Sequence, residues 1–265
     1  MSALKSVAKA TIPAGVRSSL RGTAMKVRHL TDELERQWQI WSNRGDRFEC
    51  PCCGGHFDRF LTYGVIPRPN VLCPQCGSLE RHRLLWLYLK NRTNLFDKPL
   101  KLLHMAPEPW FQEQFKQVPG LDYVSADLMA EWAMEKVDIT DMPFEDNTFD
   151  AILCNHVLEH IPDDRTAMTE LLRVLVPGGW AILQVPLDLS RDTFEDPSIT
   201  DPQERERLFG QKDHVRMYGK DYADRLRAAG FEVNVDNYAS QLKPEEIDKY
   251  RISPQENIYF CTKPV

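Results

Sequence analysis

After Lys98-Pro99 the chain alternates short apolar runs with helical patterns, and this alternation limits its fold more than any other feature. Residues 101–105, 123–126, 136–139 and 149–154 read as strands, followed by 180–185, 231–235 and 257–262, with helical patterns at 109–118, 163–175 and 219–229. Strands covered on both faces lose the two-residue alternation and become near-continuous apolar runs, as in a parallel sheet enclosed by helices. The expectation is an α/β fold, a Rossmann-like doubly wound sheet of seven mostly parallel strands.

Ahead of that region the texture differs. A helix is expected from Thr31, with Asp32, Glu33 and Glu35 in its first turn and Leu34, Trp38 and Trp41 spaced along one side, ending near Asn43-Arg44-Gly45. Residues 46–77 are rich in Cys, Gly and Pro without a long period, and Ser78 opens an apolar helix through Leu84, Leu85, Leu87, Tyr88 and Leu89. Three parts follow: a basic extension with a helix (1–45), a small module with a connecting helix (46–98) and the α/β domain (99–265).

The module contains Cys50-Pro51-Cys52-Cys53-Gly54 and Cys73-Pro74-Gln75-Cys76-Gly77, two turns of pattern C-P-x-C-G separated by residues 55–72. Each turn aims two thiolates at one point, and two such turns make the closed tetrahedral set that zinc takes at structural sites. Cys50, Cys53, Cys73 and Cys76 are therefore the expected ligands. Cys52 stands at the variable position, and His56 is the nearby substitute. A redox dithiol would occur once at a helix start, not twice in a loop-rich segment. Cys154 and Cys261 sit in apolar strands as buried thiols.

Hydrophobic residues make up 42% and charged residues 27%, and no apolar run has membrane-spanning length, so a soluble chain without a membrane span is expected. The net charge is -6, yet residues 1–30 carry six basic side chains and no acid, leaving -12 on the rest. The basic start reads as a mobile or loosely docked tail. The acidic body disfavours nucleic acid as a partner, although a local basic patch can override the total. Paired cysteines without a secretory signal point to a reducing, cytoplasmic setting.

Residues 99–262 resemble the class I methyltransferase core, specifically its type-11 group. Tyr123-Val124-Ser125-Ala126-Asp127 looks like the second strand, ending in the acid that takes ribose hydroxyls; Asp127 follows Leu103 at about the ~20-residue interval of nucleotide-binding βαβ units. Val137-Asp138-Ile139 is similar to the segment that receives the adenine amino group. Val157-Leu158-Glu159-His160-Ile161-Pro162-Asp163 and Leu175-Val176-Pro177-Gly178-Gly179-Trp180 match the group's segments after strands four and before strand five. The resemblance implies S-adenosylmethionine as cofactor, held by His104, Ala106, Glu108, Asp127, Leu128, Asp138, Ile139 and Asn155.

One departure stands out. Where the family has a glycine-rich loop, this chain reads His104-Met105-Ala106-Pro107-Glu108-Pro109. Two prolines remove N–H donors and Glu108 repels phosphate, which disfavours a dinucleotide but suits a cofactor with an ammonium group. The resemblance makes His156 the expected base, and His214, which follows the polar segment 188–213 expected as a lid over the acceptor, is the second catalytic candidate. His156, Glu159 and His160 share i, i+3, i+4 spacing and with His214 form an alternative divalent-metal set. The expected acceptor is a small molecule or glycan. The alternatives are a zinc-module RNA methyltransferase and a non-catalytic methyltransferase-like binding protein.

Overall fold

The computed structural model describes residues 31–265, so the basic tail expected before Thr31 lies outside the described residues. The chain divides into two compact units, one ending at Leu79 and one running from Glu80 to Val265.

In the first unit, helix α1 occupies residues 31–42, ending where the sequence predicts. Its apolar stripe faces outward, with Leu34, Trp38 and Trp41 each more than half exposed. Two short antiparallel ribbons follow: β1 (Arg44–Glu49) with β2 (His56–Phe57), and β3 (Leu61–Tyr63) with β4 (Arg68–Leu72). Phe48, Phe57 and Phe60 form the unit's small buried core. Each cysteine turn closes in the same way. Cys50 O accepts from Gly54 N at 2.8 Å and Cys73 O from Gly77 N at 3.0 Å. Gly54 and Gly77 have φ of 69° and 71°, a left-handed conformation that explains the glycine closing each motif.

The second unit begins with α2 (Glu80–Arg92), whose buried Arg83 donates to Tyr250 O at 2.6 Å and Arg251 O at 2.9 Å. The sheet strands are β5 (Leu100–Met105), β6 (Leu121–Asp127), β7 (Glu135–Lys136), β8 (Phe149–Asn155), β9 (Leu175–Gln184), β13 (Glu232–Asp236) and β14 (Ile258–Thr262). They lie in the order β13-β14-β9-β8-β5-β6-β7. Only β14 runs against the others, pairing antiparallel with both neighbours. This is the expected Rossmann-like, mostly parallel sheet. Helices α3 (Pro109–Phe115) and α4 (Asp164–Val174) make the crossovers from β5 to β6 and from β8 to β9, and α6 (Tyr222–Ala228) leads into β13. Among the described residues no helix is long and apolar enough to cross a membrane.

The structure departs from the sequence reading at three places. The strand read at 136–139 shrinks to β7, because Asp138 Oδ1 accepts from Thr140 N and Thr140 Oγ1 and folds the chain into a turn. The segment 188–213 is not a bare polar lid. It holds part of a three-stranded sheet, β10 (Leu187–Asp188), β12 (Arg216–Gly219) and β11 (Phe194–Glu195), together with helix α5 (Pro202–Phe209). Helix α7 (Pro244–Tyr250) is additional. Seven residues show no periodicity, and its signals are Pro244 at the start and Glu246, whose carboxylate accepts from Lys243 N.

A buried ionic network joins these parts. Asp164, 3% exposed, accepts from Tyr218 Oη at 2.6 Å and Arg225 at 2.9 Å, while Glu195 accepts from Arg216 at 2.8 Å and Arg225 at 3.1 Å. Removing one member leaves buried charge uncompensated. Asp164→Ala should lower stability by about 3–5 kcal/mol, read as a shifted urea midpoint, whereas a loss below about 1 kcal/mol would show that Glu195 alone neutralises both guanidinium groups.

Candidate functional site

Parallel pairing aligns strand ends. Met105 on β5 stands opposite Ala126 on β6 and Cys154 on β8, so the next residues, Ala106, Asp127 and Asn155, form a row at the carboxyl edge of the sheet. Ligands of open α/β sheets bind at this edge.

Ala106 occupies the place of the missing glycine and has φ of 47°, while Ala106 N donates to Ala126 O at 2.9 Å. The left-handed turn is thus made without glycine, at a backbone cost of about 1–2 kcal/mol. The prolines fit around it. Pro109 takes the first position of α3, where no N–H is needed, and Pro107 O accepts from Trp132 Nε1 at 3.2 Å.

Glu108 carries the charge of this loop. Burial alone would raise its carboxyl, but the hydrogen bond from His104 Nε2 at 2.8 Å and the charges of His104 and His82 bring it down to about 2. His82, at 3.7 Å, is itself lowered to about 4 by burial and is neutral near pH 7, so His104 is the partner that counts. The His104 ring is fully buried between Glu108 and Tyr123 Oη, which lies 3.0 Å from Nδ1. Its side chain therefore acts on a ligand only through Glu108.

Asp127 Oδ1 accepts from Met129 N at 2.6 Å and Ala130 N at 2.7 Å. One carboxylate oxygen is thereby committed to the turn, leaving Oδ2 for a ligand. Beside it Leu128, Met129, Trp132 and Met134 are 47–83% exposed. Asp138 is exposed and its carboxyl is lowered by the Thr140 hydrogen bonds, whereas Ile139 is buried in the core and offers a ligand only its backbone.

Past β8, Asn155 is 6% exposed, and neither atom of its amide has a hydrogen-bond partner among the described residues. It lines a narrow recess together with Glu108, His82, Arg81, His156 and Gln184. His156 has φ of 55°, its N–H donates to Gln184 O at 2.7 Å, and its Nδ1 lies 3.3 Å from Glu159 Oε1. The recess adjoins an open cleft of about 450 Å³ lined by Arg81, His156, Gln184, Leu187, Asp188 and Tyr259 among others. Arg81, Trp132 and Gln184 were not singled out from sequence. Arg81 lies in the first turn of α2, Trp132 in the turn after β6 and Gln184 at the end of β9, so only the fold brings them to this edge of the sheet.

His214 is 2% exposed and does not line the cleft; it meets Glu159 and His160 beneath the turn after β8. In the first unit the four expected cysteines converge, with Cys50 Sγ 3.6 Å from Cys76 Sγ and Cys53 Sγ 3.7 Å from Cys73 Sγ. A tetrahedral ion with bonds of about 2.3 Å places its sulfurs about 3.8 Å apart, so the set fits zinc. Cys52 and His56 stay outside it, and burial pushes the Cys52 thiol up, away from the ligand form.

Residues 106–183 match a family model described as a methyltransferase domain. The 2-phytyl-1,4-naphtoquinone methyltransferase of Synechococcus elongatus is 35% identical over 127 residues, 47% of this chain and 48% of that one. A demethylmenaquinone methyltransferase of Clavibacter sepedonicus is 44% identical over 46 residues, 17% of this chain and 19% of its own. The chain thus spans about half or less of the length of these relatives. Among solved structures, the 1,6-didemethyltoxoflavin-N1-methyltransferase of Burkholderia thailandensis, with 1,6-didemethyltoxoflavin and S-adenosylhomocysteine bound, covers 69% of this chain and 76% of that one at 14% identity, with a TM-score of 0.43.

The strained turn has a direct test. Ala106→Val places a β-branched side chain at positive φ and should lower stability by at least about 2 kcal/mol. Ala106→Gly removes the strain and should melt at or above the wild-type temperature. A glycine variant that melts well below wild type would mean the Ala106 methyl makes packing contacts worth more than the strain.

Proposed function

We propose that this chain is an S-adenosylmethionine-dependent methyltransferase acting on a small-molecule acceptor, with its four cysteines holding a structural zinc ion. The observation that carries the reading is the Asn155 amide, almost wholly buried, unpartnered among the described residues and lining the recess between Glu108 and His156. A buried amide without partners calls for a polar ligand. The match of residues 106–183 to a methyltransferase domain supports the identity of that ligand.

When bound, S-adenosylmethionine supplies an electrophilic methyl group on a sulfonium. Glu108, ionised throughout the physiological range, accepts from its ammonium group, and the free Oδ2 of Asp127 accepts from a ribose hydroxyl. Leu128 would cover the adenine, and Asp138 with the Ile139 backbone would receive its edge. On the cleft side, His156 keeps Nδ1 toward Glu159, leaving Nε2 to take the proton of an acceptor hydroxyl, and the Glu159 carboxylate stabilises the imidazolium so formed. A cleft of about 450 Å³ suits a small molecule. The quinone methyltransferases among the relatives support that acceptor class.

The cofactor reading is tested by calorimetry. A charge-assisted hydrogen bond is worth about 1.5–3 kcal/mol, so Asp127→Ala should weaken S-adenosylmethionine binding by at least about 10-fold while the chain stays folded. Equal binding by the variant would displace Asp127 from the site, and a wild type that binds no cofactor would end the reading.

The zinc is tested separately. Purified protein should hold one ion that resists EDTA and is released when a mercurial blocks the thiols. Cys50→Ser and Cys76→Ser should lose it and melt earlier, and Cys52→Ser should keep it. Protein without an EDTA-resistant ion would refute the assignment.

A further inference from the structure

The turn that follows β8 contains a second group of metal-binding side chains. Residues Leu158–His160 form one turn of 3₁₀-helix, and Glu159 within it is 1% exposed. Neither oxygen of its carboxylate has a hydrogen bond among the described residues; His156 Nδ1 sits 3.3 Å from Oε1 without hydrogen-bond geometry. A buried carboxylate left in this way is costly unless a cation compensates it. Arg216 and Arg225, the nearby guanidinium groups, are already engaged by Glu195 and Asp164.

Two imidazoles face the same point. His214 is 2% exposed, and its Nδ1 lies 2.9 Å from Phe209 O, a carbonyl that only accepts, so Nδ1 carries the proton and Nε2 presents a lone pair. That Nε2 is buried with no partner among the described residues. The His160 ring stands edge-on to it, 4.7 Å between centroids at 84°, with its own Nδ1 3.3 Å from Asp213. One ligand atom from each of Glu159, His160 and His214 lies within 4.8 Å of the others. His214 Nδ1 is met by a carbonyl and His160 Nδ1 by the Asp213 carboxylate, contacts of the kind that orient metal-binding imidazoles.

The elements are fixed in place by the backbone as well. Val215 N donates to Glu159 O at 2.9 Å, and Arg216 donates to Leu158 O at 2.9 Å and Pro162 O at 2.8 Å, tying the loop that carries His214 to the turn that carries Glu159 and His160.

We propose that Glu159, His160 and His214 bind a divalent transition ion of the zinc class, at a site separate from the four cysteines. Two imidazoles and one carboxylate favour such an ion over calcium or magnesium, and three protein ligands leave a coordination position open to water or an acceptor oxygen. Bonds of about 2.0–2.1 Å require donors about 3.4 Å apart, so the three donors, which lie within 4.8 Å of one another, close in on binding. Glu159 also faces His156, so the ion sits one side chain away from the cleft. The site does not depend on the chain being a methyltransferase.

The test uses full-length protein treated with EDTA, which leaves the thiolate-held ion in place. Titration with zinc chloride should reveal one further equivalent per chain. Glu159→Gln, nearly isosteric, and His160→Ala, whose side chain is about a third exposed (32%), should each weaken that binding by at least about 10-fold. Cobalt added in place of zinc should give the weak visible bands of nitrogen and oxygen ligands, without sulfur charge transfer. Absence of an EDTA-sensitive equivalent in the wild type, or unchanged affinity in a folded His160→Ala chain, would overturn the proposal.

Discussion

The Arg216 guanidinium is the contact on which the functional end of the sheet domain depends. It is 3% exposed, pairs with Glu195, and donates to the carbonyls of Leu158, Ile161 and Pro162, in and just after the short 3₁₀ turn. Through it, β12 holds the chain just after β8. His156, Glu159 and His160 all belong to that stretch, so their placement follows from one buried cation and the carboxylates that neutralise it. Those carboxylates come from α4 and β11, elements far apart in sequence.

This dependence explains what the sequence discloses and what it hides. Strands β5, β6 and β8 are legible because burial on both faces writes Leu102-Leu103 and Ile152-Leu153-Cys154 as unbroken apolar runs. β7 is not, because the Asp138 turn competes with the ladder, and β10, β11 and α7 are too short to show a period. The four zinc-type ligands are legible because their geometry is local to two turns. Arg81, Gln184 and Trp132 are not, since each joins the site through tertiary placement alone. The pairing of Glu159 with His214 lies between these cases: the i, i+3, i+4 spacing is visible, but only the fold brings residue 214 beneath it.

The glycine-free loop illustrates how far a motif can depart without losing its shape. Ala106 and His156 both take left-handed backbone conformations directly after neighbouring strands. Such strain persists only where the surroundings over-determine it, and here parallel ladders on either side of β5 do so. The two prolines carry no N–H, and the charge of the loop is supplied by Glu108, fixed through His104 and Tyr123.

Asp127 divides its carboxylate between two duties, one oxygen holding its own turn and the other facing outward. An anion anchored to backbone in this manner cannot swing aside to relieve repulsion. On the proposed reading, a nucleoside resting at this edge of the sheet would meet that carboxylate at its sugar, which favours free hydroxyls over a sugar bearing a phosphate. The edge would thus sort nucleosides by the state of their ribose before the rest of the molecule is read.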